Sequence, residues 1–170
     1  MSEKAAPYVV HIDDVEEVEG AYGAPFDREK LSIYRELGRA AGSKTLGFSF
    51  ERLPPGRRTS FTHAHSAEEE FIYLLSGTCH VRIVEDGSEA REIPLRAGHA
   101  VSFPAGTAIA HTFVNRGSDE CTLLVVGERR PGIDRVFYPE DPDYDTYHAE
   151  KRPEQHWTLP SVAERNTTPR

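Results

Sequence analysis

The chain reads as an all-β protein, a closed sandwich or barrel of short strands. Three observations carry that reading. Short apolar and β-branched runs recur from Thr45 to Tyr138, with Gly- and Pro-containing turns between them. Hydrophobic content of 38% with Gly 13 and Pro 12 suits a turn-rich β protein. Helical periodicity is confined to one segment near the N-terminus and one turn near the C-terminus.

Taken in order, Tyr8-Val9-Val10-His11-Ile12 is a β-branched and aromatic run that predicts a strand, paired within the chain or with a second subunit. An acidic stretch from Asp13 to Glu19 and a loop through Pro25 follow. Leu31, Tyr34 and Leu37 recur at helical spacing and predict one short helix over Arg28 to Ala41, with Asp27 as its N-cap and Gly42 as its stop. Leu46, Phe48 and Phe50 then alternate with smaller or polar residues up to the turn Pro54-Pro55-Gly56. The histidine strand comes next, then Glu69 to Ser76 and Thr78 to Val84, with Gly77 as a tight connection. Glu85-Asp86-Gly87-Ser88 predicts a hairpin turn, because Asp-Gly supplies the positive-φ position. Ala90 to Leu95, Ala100 to Phe103, His111 to Asn115 and Cys121 to Val126 continue the series, and Val136-Phe137-Tyr138 ends it. Beyond Pro139 the pattern breaks into a tail over the barrel or a partner subunit, with a turn of helix around Asp143 to Arg152 and disordered final residues. The expected organisation is an N-terminal strand and helical extension (1–44), a barrel (45–138) and a C-terminal tail (139–170).

At 170 residues the chain is one domain with a core large enough to fold unaided. A net charge of −8 and no basic cluster interleaved with aromatics argue against nucleic acid as a partner. Apolar runs are too short for a transmembrane helix, and the first residues lack the apolar stretch of a signal peptide. The expected location is the cytoplasm. Cys79 and Cys121 each lie in an apolar segment and read as buried free thiols, with a cross-strand disulfide as the alternative.

The chemistry sits in Thr62-His63-Ala64-His65-Ser66-Ala67-Glu68-Glu69-Glu70. Side chains alternate along a strand, so His63 and His65 point the same way and both imidazoles can reach one ion. Two solvent-facing histidines on an edge strand would give the same local text; the rest of the pattern decides. Gly56 precedes the pair, Glu70 follows His65 by five positions, and Gly77 follows Glu70 by seven. Further on stand Gly98, Pro104, Gly106, His111 and Asn115.

Together these residues resemble the two motifs of the cupin superfamily, GX5HXHX3-4EX6G and GX5PXGX2HX3N, across residues 56 to 115. Six residues separate Gly56 from His63 where the motif has five, and four separate Gly106 from His111 where it has two. The second change is even, so it preserves strand phase and His111 can still face inward. The flanking Leu53-Pro54-Pro55-Gly56 and Val125 to Gly132 also look like small single-domain cupins of the sugar-phosphate-isomerase-like type. The resemblance implies a single jelly-roll β-barrel, a homodimer, and one divalent metal ion held by His63, His65, Glu70 and His111.

Three imidazoles and one carboxylate are borderline N/O donors that suit Fe, Mn, Ni or Zn. Such a site implies a metal-dependent enzyme on a small oxygenated or anionic metabolite, of isomerase, epimerase or lyase type. A non-haem dioxygenase and a non-catalytic small-molecule-binding protein are the alternatives. Arg57, near the mouth, is a candidate for a carboxylate or phosphate, while Ile72 and Leu74 share the face of Glu70 and line the deeper pocket. Tyr73 takes the opposite face, and His80 and His99 read as surface or hydrogen-bonded histidines.

Overall fold

The structure is a computed structural model that describes residues 8–85 and 88–159. Strands dominate, in the order β1 (Val18–Glu19), β2 (Ile33–Arg35), β3 (Leu46–Leu53), β4 (Ala64–His65), β5 (Glu70–Ser76), β6 (Thr78–Val84), β7 (Arg91–Arg96), β8 (Ala100–Phe103), β9 (Ala110–Val114), β10 (Cys121–Glu128) and β11 (Val136–Phe137). Two helices, α1 (Leu37–Ala40) and α2 (Pro142–Lys151), flank them. The larger sheet runs β1-β2-β3-β10-β5-β8, and a smaller one runs β7-β6-β9. Residues 57–63 extend the smaller sheet by pairing along β9, through the bridges Arg58–Val114 and His63–His111. β4 then carries this edge on to β11.

The core lies between the two sheets. Leu53, Leu74 and Leu123 come from the larger sheet, Val81, Leu95 and Phe113 from the smaller, and all are at most 9% exposed. Cys79 and Cys121 are buried free thiols in that core, as expected. Gly77 turns β5 into β6 at φ +75°, and a Cβ there would stand 2.8 Å from the Cβ of Cys121. Only glycine meets both demands. No helix among the described residues is long and apolar enough to cross a membrane.

The N-terminal third departs from expectation. The helix predicted over Arg28 to Ala41 is confined to Leu37–Ala40, and Ile33–Arg35 instead forms β2. Pairing decides this: Ile33, Tyr34 and Arg35 lie opposite Arg52, Glu51 and Phe50, and that ladder outweighs a short periodic signal. Asp27 therefore caps nothing, whereas Gly42 does end the helix, at φ +85°. The strand predicted over Tyr8 to Ile12 has no ladder among the described residues. Tyr8 and Val9 are exposed there, and Ile12–Asp14 forms a 3-10 turn. The Asp86-Gly87 turn lies outside the described residues, although β6 and β7 pair on either side of it.

After β11 the chain is more ordered than its composition suggests. α2 is a ten-residue helix with Pro142 in its first turn. Its Tyr144 meets the ring of Tyr22 at 4.6 Å, and Phe61 stacks on Tyr22 at 4.0 Å. Arg58 binds Asp141 and Arg82 binds Glu140, which fastens the helix start over the end of the sandwich beside the histidines. The final residues, from 160 on, lie outside the described residues.

Candidate metal centre

Strand register brings the histidines together. His63 and His111 exchange both backbone hydrogen bonds, at 3.1 and 2.8 Å, so they stand directly opposite and project from the same face. His65 follows two residues after His63, on β4, and projects with it. Glu70 opens β5 on the facing sheet, where Gly127 lies opposite it in the ladder.

One oxygen is common to all three imidazoles. Glu70 Oε2 lies 2.8 Å from His111 Nε2, 3.6 Å from His63 Nε2 and 3.8 Å from His65 Nε2. The opposite ring nitrogens are held from behind. His63 Nδ1 faces the carbonyl of Phe61 at 2.8 Å, His111 Nδ1 that of Ile109 at 3.4 Å, and His65 Nδ1 the carboxylate of Asp134 at 2.6 Å. An Nδ1 that donates to a fixed oxygen would leave the Nε2 lone pair to a metal ion, which would take the place of the proton that His111 Nε2 shares with Glu70. The ring of His111 also stacks on Phe103, with centroids 3.5 Å apart. The donor set fits a borderline divalent ion, with three neutral nitrogens and one anionic oxygen.

Charge agrees with this arrangement at Glu70 and His111. Burial opposes ionisation of Glu70, but hydrogen bonds from His111 and His63 outweigh it and hold the carboxyl well below the usual range. Burial pushes His111 down, toward the neutral imidazole. Burial also disfavours a charged His65, but its bond to Asp134 prevails and raises it.

Asp134 was not among the residues singled out from the sequence. It accepts from the backbone of Ala67 at 2.8 Å and Glu68 at 3.2 Å as well as holding His65, so it fixes the loop between β4 and β5. His65, Glu68 and Asp134 are themselves close enough to group around an ion. The short bond that His65 Nδ1 donates to Asp134 makes this cluster the support of His65. Asp134→Asn is expected to weaken metal affinity about 10–100-fold, with all four central side chains intact. Competition with a chromophoric chelator measures it.

A cavity of about 240 Å³ opens beside the cluster. It is lined by His63, Glu70 and His111, by the apolar Ile72, Phe113 and Val125, and by Glu51, Thr59 and Ser60, with Ser60 Oγ 3.2 Å from His63 Nδ1. A second, outer cavity of about 410 Å³ shares Glu51, Thr59 and Ser60 with it and adds Glu19, Ser32, Tyr34 and Glu36. Ile72 thus lines the pocket as expected, whereas Leu74, at 1% exposed, belongs to the core beneath. Arg57 lines neither cavity; its guanidinium binds Glu19 at 2.9 Å and the carbonyl of Leu31 at 3.1 Å. Arg58 is likewise engaged, by Glu29 and Asp141. Tyr73 points outward, and His99 accepts from the backbone of Arg96.

Glu51 is the second residue the sequence did not flag. It accepts from Ser32 Oγ at 2.7 Å and Ser49 Oγ at 3.2 Å, with no cation among its hydrogen-bond partners. Burial pushes its carboxyl up to about 7.

Residues 49–127 match the cupin domain family. Among solved structures, the chain resembles a sugar phosphate isomerase of the cupin superfamily from Silicibacter pomeroyi at 30% identity. That match has a TM-score of 0.66 and covers 76% of this chain and 80% of that one. A protein assigned as a sugar phosphate isomerase from Acidithiobacillus ferrooxidans matches at 25% identity and TM-score 0.65, over 79% of this chain and 83% of that one. The polyketide cyclase RemF from Streptomyces resistomycificus matches at 27% identity and TM-score 0.57, over 86% and 94%. No curated protein matches the sequence.

Proposed function

The chain belongs to the cupin superfamily, and we propose that within it this protein is a metal-dependent enzyme of isomerase, epimerase or lyase type acting on a small oxygenated metabolite. The observation that carries this is the convergence of three Nε2 atoms on Glu70 Oε2 at the wall of a cavity. His63, His65, Glu70 and His111 would hold one Fe, Mn, Ni or Zn ion. When bound, such an ion supplies Lewis-acid polarisation of a carbonyl or hydroxyl oxygen.

The chain's own residues supply the rest. Thr59 and Ser60 put hydroxyls on the cavity lining, Ser60 beside His63, while Ile72, Phe113 and Val125 make the rest of it apolar. The neighbours described as sugar phosphate isomerases support this class of chemistry. Isomerisation of candidate hydroxy-carbonyl compounds, abolished by chelation and restored by metal, tests it. Turnover that consumes oxygen would place the protein among the dioxygenases instead. Ligand binding without turnover would leave a binding protein.

The proposed assembly is a homodimer, and the outer face of the larger sheet supports it. Register sets Phe48, Val126 and Phe71 in one row and Phe50, Leu124 and Tyr73 in the next. Leu46, Phe48, Phe71, Tyr73 and Leu75 are 36–51% exposed there. A contiguous apolar face of this kind marks an interaction surface. The double variant Phe48→Glu/Phe71→Glu is expected to lower the mass in light scattering to that of one chain, with metal content unchanged.

A further inference from the structure

On β3 the inward phase is Gly47, Ser49, Glu51 and Leu53, so a carboxylate enters the sandwich where its neighbours along the strand are small or apolar. Glu51 lines both the inner and the outer cavity, and shares the inner one with His63, Glu70 and His111. Its ties to Ser32 and Ser49 orient it without neutralising it. No lysine or arginine among the described residues lines either cavity, while Glu19, Glu36 and Glu51 do, Glu19 paired with Lys30 and Arg57 and Glu36 with Arg129. The guanidiniums of Arg57 and Arg58 are committed to carboxylates as well, which leaves Glu51 as the carboxylate of this passage with no cation partner. A phosphate ester entering this passage would find no free cation and would meet the unpaired carboxyl of Glu51, which electrostatic complementarity disfavours.

We propose that Glu51 is the catalytic acid–base of this cavity and that the substrate is a neutral hydroxy-aldehyde or hydroxy-ketone, not a phosphate ester. The assignment rests on the metal-site reading above and adds to it the proton carrier and the charge of the substrate. Glu51 takes the proton from the carbon that bears the hydroxyl. The electron pair of the broken C–H bond forms the C=C bond of an enediolate as the carbonyl pair moves onto oxygen. The carboxyl returns its proton to the former carbonyl carbon, and the hydroxyl proton moves between the two oxygens. Aldose and ketose interconvert with no net change in charge or oxidation. A carboxyl that titrates near neutrality is suited to both halves of the exchange.

The test uses the metal-reconstituted full chain in deuterium oxide with glyceraldehyde, erythrose and fructose, and with their phosphate esters. Proton NMR follows loss of the C–H signal next to the carbonyl, and elemental analysis follows metal in the same samples. The neutral probes are expected to exchange about tenfold faster than the esters. Glu51→Gln is expected to slow exchange about 100-fold or more, with metal content unchanged. Exchange by Glu51→Gln at the wild-type rate, or preference for the esters, overturns the assignment. A wild-type protein that holds its metal but exchanges no probe overturns it too and leaves the metal site standing. A protein that takes up no metal overturns the metal-site reading itself.

Discussion

Replacement of Glu70 by alanine is expected to cost more than about 100-fold in metal affinity, beyond what loss of a supporting partner alone produces. The argument is geometric and electrostatic together. Its Oε2 is the one atom that all three Nε2 atoms surround, at 2.8, 3.6 and 3.8 Å. It is also the anionic member of the set, held ionised by the hydrogen bonds from His111 and His63. Alanine removes a ligand and a charge at once. Glu70→Gln keeps the shape and removes only the charge, so its loss should be intermediate. Chelator competition on both variants measures the series. Equal affinity of wild type and Glu70→Ala would take Glu70 out of the ligand set.

Glu51→Gln is expected to stabilise the metal-free protein above pH 7 and to leave it nearly unchanged at pH 5. Burial is the main cause of the raised carboxyl, and Glu70 and Glu36 add repulsion, while Ser32 and Ser49 oppose the shift. The folded-state value of about 7 exceeds the ordinary 4.5, so between these the folded chain keeps a proton that the unfolded chain has lost. Stability therefore falls as pH rises through that window and stays lower above it. The full shift corresponds to about 3 kcal/mol as an upper figure. Glutamine carries no such dependence. At pH 8 the variant should melt about 6–12 °C above the chelator-treated wild type. Parallel melting curves from pH 5 to pH 8 would contradict the buried, unpaired carboxyl. A gain in stability at the expense of activity is the expected signature of a functional group held at a cost.

The grouping of His63, His65, Glu70 and His111 was legible because each belongs to a motif whose spacing is local. His63 and His65 share a face by strand alternation, and Glu70 is fixed by its distance from Gly77. The lengthened stretch from Gly106 to His111 did not displace His111. Its even increment kept the strand in phase, and Ala108 takes φ 58° within that loop.

Asp134 and Glu51 were not legible, for different reasons. Asp134 reaches His65 from 69 positions away, through the pairing of β11 with β4, and no local pattern marks it. Glu51 was hidden by a two-faced strand. Alternation of Leu46, Phe48 and Phe50 identifies β3 but cannot say which face is inside. Here the aromatic face is the outer one, and Glu51 of the inward phase lines the cavity. The same ambiguity concealed the surface that we assign to dimerisation. Leu74 and Ile72 share one face as predicted, yet only Ile72 reaches the cavity, because depth along a strand is set by the facing sheet. The helix expected over Arg28 to Ala41 failed where three of its residues were needed to extend the larger sheet.

The most direct measurement is elemental analysis of protein purified without an affinity tag, with His111→Ala in parallel. His111 is 3% exposed and comes from the second motif, so its variant tests whether both halves of the sandwich meet at one ion. The account predicts about one equivalent of Fe, Mn, Ni or Zn per chain, lost or sharply weakened in the variant. Wild-type protein without metal after reconstitution, or a stoichiometry untouched by His111→Ala, would contradict it.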